Sequence, residues 1–336
     1  VTATINGAAA TVRVGIEDNG TALTLADFRA DSLGIASAGT DIPVGFAVIG
    51  TSLYTAAGRY VYQWDETGDK FDVVRYTADN ATGIATLGTN VFVAYGGSTA
   101  FIYGATTSWT VSTLSSNSKY AEHFVRGMDR AGNAVLWRTF KPNTVGVSSS
   151  PINGGTDWTT YTVGEADADL TGIHWWNRTV LAGKEDGLYA FTASYFTNVT
   201  QEKRVAPSTE NFAKSQEFQG ALFLSAAQGA VYRWQSGTLI GPLDSFHMEG
   251  YEYGPGGKVG ALGTDGSNLL VGLSQRNSTS TAWILQSNDG ESIHTLYDFC
   301  APDSTAWGST PLVDVHFEEM TTIDAIQTFS NYTYVA

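Results

Sequence analysis

Residues 53–57, LYTAA, and 60–64, YVYQW, decide the fold of this chain. Apolar side chains recur in both segments with the period of two that is typical of a β-strand. A short turn that contains glycine separates them, as in a tight hairpin. The two segments therefore predict consecutive short strands, of which the second has an aromatic centre.

Both segments recur along the chain. Measured from Tyr62, the aromatic strand returns at Tyr103, Val147, Tyr189, Tyr232 and Trp283, in steps of 41, 44, 42, 43 and 51 residues. The preceding strand returns at residues 91–95, 134–139, 180–183, 221–226 and 269–273. A period slightly above forty residues is typical of β-propeller blades.

Each repeat also has an apolar strand before the pair, and several have a further strand after it, so the unit is a four-stranded antiparallel blade. The sequence predicts one all-β domain, 1–336, a seven-bladed β-propeller. Strands at 322–336 and 10–28 share the seventh blade and close the ring, which removes exposed sheet edges. Within 10–28, alternating apolar residues at 11–17 and 22–28 predict the two strands of a hairpin. Six blades, or β-sandwich domains, are the alternatives. The six predicted blades of consecutive strands span residues 44–76, 83–113, 124–163, 172–200, 215–240 and 259–299.

Composition limits the partners. Lys and Arg total 18 against 33 Asp and Glu, and the resulting net charge of −15 repels nucleic acid. We find no apolar run of the length that spans a bilayer, so we expect no membrane insertion. Cys300 is the only cysteine, which excludes an internal disulfide.

Several turns resemble the Asp-box of BNR and sialidase-type propellers, a Ser-x-Asp-x-Gly-x-x-Trp hairpin. The closest are 150–158 (SPINGGTDW) and 287–290 (SNDG), followed by 65–71 (DETGDKF). Asn153 replaces the acid in the first, and His294 stands where the second requires an aromatic residue. The resemblance implies the hairpin turn and the fold, and it carries over no catalytic residue.

A second resemblance covers residues 172–299. The phrases GKEDGLYAF, GALFLSAAQGAVYRW and LLVGLSQ look like propeller proteins among the structural proteins of tailed phages and related viruses. This resemblance implies a tail or capsid-surface component that contacts a host ligand. Its implied partners are other virion or scaffold proteins, in a homo-oligomer or another symmetric assembly.

One loop could carry a ligand site. In a propeller the connections between blades gather around the central channel, where ligands commonly bind. The longest such connection, 241–258, carries His247, Glu249, Tyr251 and Tyr253, and Trp175 could add a stacking platform. These five residues are the predicted ligand-binding residues, with a surface glycan as the candidate ligand.

We predict neither a metal site nor a cofactor. Asp314, His316 and Glu318 alternate along one strand face, which more often means an exposed polar face than a ligand set. Residues 165–169 hold acidic side chains without the glycine and the terminal glutamate of a calcium loop. No motif for a nucleophile or a phosphate loop is present in the sequence.

These observations predict a non-catalytic structural or interaction module, located in a virion or outside the cell. The alternative is a secreted carbohydrate-binding or glycan-processing propeller. Symmetric assembly would favour the first hypothesis, and glycan binding would favour the second.

Overall fold

The computed structural model describes residues 11–14, 28–31, 43–68, 70–96, 101–112, 120–152, 158–201, 205–243, 257–275, 282–291, 294–298, 323–329 and 332–335. Within these ranges no helix has the length and the apolar character that crossing a membrane requires. The described residues form 28 strands, and these pair into four-stranded antiparallel sheets.

Six sheets are blades of four consecutive strands, in which each strand pairs with the next. The first three blades are β3 (Pro43–Ile49), β4 (Ser52–Ala57), β5 (Tyr60–Asp65) and β6 (Lys70–Tyr76); β7 (Gly83–Leu87), β8 (Asn90–Ala94), β9 (Ile102–Ala105) and β10 (Ser108–Val111); and β11 (His123–Met128), β12 (Ala134–Phe140), β13 (Thr144–Ser148) and β14 (Thr159–Thr162).

The fourth to sixth blades repeat this arrangement. They are β15 (Leu170–Trp176), β16 (Thr179–Lys184), β17 (Gly187–Phe191) and β18 (Phe196–Asn198); β19 (Ser215–Phe218), β20 (Ala221–Ser225), β21 (Val231–Gln235) and β22 (Thr238–Ile240); and β23 (Gly257–Thr264), β24 (Leu269–Gln275), β25 (Ala282–Ser287) and β26 (His294–Asp298).

A further sheet combines strands from both ends of the sequence, in the order β2–β1–β28–β27. Its strands are β1 (Thr11–Val14), β2 (Phe28–Asp31), β27 (Ile326–Phe329) and β28 (Tyr332–Val335). We call it the closing sheet. Its central pairing aligns Val12 with Val335 and Val14 with Thr333, so the predicted pairing of the two ends is confirmed.

The closing sheet completes a ring, because its inner strand β27 contacts both β23 of the sixth blade and β3 of the first. The fold is an all-β propeller, and the alternative of β-sandwich domains is wrong. The prediction of seven blades needs correction: the structure shows six blades of consecutive strands, the number predicted from the sequence as the alternative, and the closing sheet is counted apart from them.

One strand of the closing sheet was placed wrongly from the sequence. The alternating apolar residues at 22–28 predicted a strand that ends at Phe28, whereas β2 begins there. Thr11 aligns with Asp31 and Val14 with Phe28, so the outermost strand is FRAD. An outermost strand has solvent at its edge and does not require alternating apolar side chains. The alternation at 22–28 was therefore a poor guide to the position of β2.

Burial is greatest in the second strand of each blade. In β4 every residue after Ser52 is buried, and in β20 all five residues are buried. Neighbouring blades cover both faces of these strands, and their sequences are therefore nearly continuous apolar runs. By contrast, most residues of the outer strands β6 and β14 are exposed or partly exposed.

The inner strands approach their neighbours so closely that only glycine fits at certain positions. A Cβ atom placed on any of these glycines would fall well inside the normal contact distance of a carbonyl oxygen in the next unit of the ring. The pairs are Gly83 with Glu122 (2.7 Å), Gly172 with Phe212 (2.8 Å) and Gly260 with Ile323 (2.0 Å). Glycine is required here by close backbone approach rather than by its torsion angles.

The turn at 287–290 has the hydrogen bonds that its sequence suggests. Asp289 Oδ1 lies 3.1 Å from Ser287 Oγ, and the Gly290 N–H donates to that hydroxyl at 2.9 Å. The Glu291 N–H donates to Asp289 Oδ1 at 2.8 Å. Side chains of Ser and Asp thus fix the connection between β25 and β26, as is usual for such turns.

We expect Gly260→Ala to destabilise the ring strongly. The added Cβ would lie 2.0 Å from the Ile323 carbonyl oxygen, and backbone cannot move aside as a side chain can. Gly257→Ala, on the same strand, is the matched control, because the closest contact of its Cβ would be the flexible Leu273 Cδ1, at 3.2 Å, and the nearest carbonyl oxygen, of Ser274, would be 3.6 Å away. Urea denaturation should show a loss of about 2 kcal/mol or more for Gly260→Ala and less than about 1 kcal/mol for the control. Equal losses would show that the contact with Ile323 does not limit closure.

Candidate functional site

A cavity of about 370 Å³ lies where the inner strands of five neighbouring blades begin. Its wall is formed mainly by residues 43–44, 80–84, 123–124, 171–174 and 213–215. We call it the channel-mouth cavity. The connections between successive blades reach this face of the ring, which is the face where the sequence predicted ligand contact. No Asp or Glu is among the described residues that line it.

His174 is one of two imidazoles in the cavity wall. It lies on β15, only 5% of its surface is exposed, and its Nε2 is 2.7 Å from the Phe212 carbonyl oxygen. Because a carbonyl only accepts, Nε2 must carry the proton and Nδ1 remains an acceptor in the neutral ring. Burial lowers the pKa of His174 to about 4, so the ring is neutral at physiological pH.

His123, at the start of β11, is the second imidazole. Burial lowers its pKa to about 4, and the positive charge of Lys214 and the nearby His174 add to that effect. A hydrogen bond between the His123 imidazole and the backbone of Thr82 raises the pKa, but by less than the other causes lower it. The two imidazoles are therefore neutral neighbours that face one cavity from two different blades.

Lys214 supplies the positive charge of the cavity wall. It lies just before β19, and its Nζ donates to the Asp324 carbonyl oxygen at 3.0 Å. The Asp324 carboxylate lies 3.9 Å from Lys258 Nζ, at the edge of ion-pair distance. Burial lowers the pKa of Lys214, which means that the ammonium is poorly hydrated where it stands.

A separate acidic group lies beside the cavity. Glu122 precedes His123 on the chain, is 8% exposed, and its Oε2 has no hydrogen-bond partner among the described residues. Burial raises the pKa of Glu122 to about 7, Lys141 opposes this rise, and Asp169 adds to it. Lys141 Nζ is itself 3.2 Å from Asp169 Oδ2.

Of the five predicted ligand contacts, Trp175 alone belongs to the residues that the structure describes. His247, Glu249, Tyr251 and Tyr253 lie outside the described residues, as do Asp314, His316 and Glu318.

Trp175 lies on the opposite face of β15 from His174. A Cβ on Gly127 of the third blade would be 2.6 Å from Trp175 Cε3, so the ring packs between blades rather than in the cavity. In the part of the chain that the structure describes, no three potential metal ligands come together.

Sequence reasoning missed His123, His174 and Lys214. One signal was present in the sequence: a single histidine, His174, lies within the otherwise apolar strand LTGIHWW. A titratable side chain in the innermost strand of a blade faces the channel or the adjoining blade, so that position alone would have made His174 a candidate. No comparable signal marks Lys214, whose neighbours come from distant parts of the sequence.

Comparison with known proteins supports the fold and goes no further. No protein-family model and no curated protein sequence matches the chain. The computationally designed Ika8 protein is 10% identical, with a TM-score of 0.52 over 88% of this chain and 94% of that one. A chain of the mitotic checkpoint complex is 11% identical, with a TM-score of 0.53 over 86% of this chain and 82% of that one.

A third similar structure is the extracellular domain of a hybrid two-component system from B. thetaiotaomicron. It is 8% identical, with a TM-score of 0.58 over 89% of this chain. The match covers 38% of that longer chain. At such low identity these three structures share a fold with this chain, and the likeness extends no further.

We expect His123 and His174 to stay neutral well below the usual histidine range. The imidazole NMR signals of both should titrate with midpoints near 4, and Gln substitutions at either site assign them. Because the folded-state pKa lies below the unfolded value of 6.5, the unfolded chain binds more protons between these two pH values. These histidines should therefore cost stability as pH falls through that window. Midpoints above 6 would contradict the burial described here.

We expect Glu122→Gln to remove a loss of stability at high pH. The folded-state pKa is raised to about 7 from 4.5, so the stability that the protonated acid supplies disappears as pH rises through 7. From pH 5 to pH 8 the Gln variant should lose less unfolding free energy than the wild type, by up to about 3 kcal/mol. Glu66→Gln, at an exposed glutamate, is the control and should follow the wild type. Parallel curves for wild type and Glu122→Gln would refute the assignment.

Proposed function

We propose that this chain is a non-catalytic interaction module, a propeller of a virion tail or capsid surface that holds its neighbours through blade edges. The observation that carries the proposal is the exposure of large apolar side chains on the outermost strands. They are Val73 (40% exposed) and Tyr76 (65%) on β6, Val111 (44%) on β10 and Ile240 (36%) on β22.

The edge of the first blade is the strongest candidate for such contact. Val73 and Tyr76 lie on the same outer strand, and Tyr76 packs edge-on against the half-buried Tyr60 with 5.1 Å between ring centroids. Among the described strands β6 pairs with β5 alone, so it forms the edge of its sheet. Aromatic and aliphatic side chains beside an open strand edge are suited to protein contact. We call Tyr60, Val73 and Tyr76 the first-blade edge.

The virion setting comes from the sequence phrases that look like tailed-phage structural proteins. The other proposed location, outside the cell, agrees with the extracellular domain among the similar structures. We further propose that the closing sheet acts as a seventh blade, since it lies between the sixth and the first. The proposed partners are other virion or scaffold proteins, or further copies of this chain.

The carbohydrate-binding alternative gains no specific support. Its nominated loop lies outside the described residues, and the Trp175 ring packs against Gly127 of the neighbouring blade. We therefore develop only the interaction module.

We expect the purified chain to form a symmetric oligomer, and Val73→Lys/Tyr76→Lys to dissociate it. Two ammonium groups at the first-blade edge would have to be desolvated in any apolar contact. Light scattering and electron microscopy measure mass and symmetry. Met128→Lys is the matched control, because Met128 is also exposed, at 48%, but lies at the far end of an inner strand. A wild type that stays monomeric at high concentration, or an oligomer that the double variant leaves intact, would contradict edge-mediated assembly.

A further inference from the structure

We propose that the channel-mouth cavity binds a small hydroxylated organic acid, with Lys214 holding the carboxylate and with His123 and His174 accepting hydrogen bonds from hydroxyl groups. This site is independent of assembly through the first-blade edge. It lies at the channel axis, whereas that edge lies on the outside of the ring.

The charge of the cavity selects an anion. Lys214 is the only charged side chain among the described residues of the wall, and no carboxylate lines it. Asp324 is the acidic residue whose charge acts on Lys214, and that charge raises the pKa of Lys214 by less than burial lowers it. The Asp324 carboxylate lies 3.9 Å from Lys258 Nζ, and the hydrogen bond that Lys214 donates goes to the main-chain oxygen of Asp324. One N–H of Lys214 is used in this bond, and an ammonium has three. An ammonium that uses one donor among the described residues, in a wall without carboxylates, favours a carboxylate ligand.

The imidazoles add a requirement for hydrogen-bond donors on the ligand. His174 donates its Nε2 proton to the Phe212 carbonyl, and the His123 imidazole has a hydrogen bond with the backbone of Thr82. A neutral imidazole that donates through one nitrogen can only accept through the other. Two acceptors beside one ammonium match a ligand that carries both a carboxylate and a hydroxyl group.

Size limits the ligand to a small molecule. About 370 Å³ is near the lower end of the range for small-molecule sites, roughly 300 to 1,000 Å³. The wall is also of mixed polarity, with Ile84, Phe124 and Ile173 beside the polar groups. Such a wall suits a short carbon skeleton with polar ends.

The test is isothermal titration of the full chain with three probes of similar size. Malate carries carboxylates and a hydroxyl group, succinate lacks the hydroxyl group, and glycerol lacks the charge. We expect malate to bind about tenfold more tightly than succinate, as one buried hydrogen bond provides, and glycerol not to bind. No heat from malate up to about 10 mM would overturn the proposal. Equal affinity for succinate would overturn the role of the imidazoles, and equal affinity for glycerol would overturn the role of Lys214.

Lys214→Met should weaken malate binding at least about tenfold, because it removes the charged partner of the carboxylate. Lys258→Met is the matched control: Lys258 shares Asp324 but does not line the cavity, so binding should persist. Unchanged affinity in Lys214→Met would overturn the proposal.

Should Lys214→Met fail to fold, the wild type still decides. Malate should shift the NMR signals of His123 and His174, and a titration that leaves both unmoved would place any binding elsewhere.

Discussion

The close passage of backbone around the channel axis is the constraint on which this structure depends. At Gly83, Gly172 and Gly260 an inner strand passes so close to a carbonyl group of the next unit that an added Cβ atom would clash with its oxygen. Rings built this way have little freedom to adjust, because each inner strand is held between two others. The same tight ring brings the starts of distant strands together at one end, where the channel-mouth cavity forms.

The close packing of the ring shifts the pKa values of two neighbouring residues, Glu122 and His123, in opposite directions. Burial raises the pKa of Glu122 to about 7 and lowers that of His123 to about 4. Between these values both groups are held in their neutral forms, which is what poorly hydrated surroundings favour. As pH rises, Glu122 lowers the unfolding free energy and His123 raises it, so the two effects partly cancel. The stability of the propeller therefore changes less with pH than either residue alone would make it change.

The fold was largely predictable from the sequence, while the cavity was not. The second strand of a blade is covered on both faces, so segments such as 53–57 and 221–226 stand out as short apolar runs at a regular spacing. The position of β2 was not visible, because strand pairing rather than side-chain pattern fixes an outermost strand. His123, His174 and Lys214 come from three blades and share no sequence pattern. Their proximity arises only when the ring closes.

The closing sheet also determines when the protein can first become stable. Pairs such as Val12 with Val335 join positions that are almost the whole sequence apart, so their contact order is very high. During synthesis the ring stays open until the last strands have been made. In that interval the exposed sheet edges of the early blades can pair wrongly. Once closed, the ring has no free end from which blades can detach one by one. Its persistence should then depend on how slowly the closing sheet opens, which is a matter of kinetics more than of total contact energy.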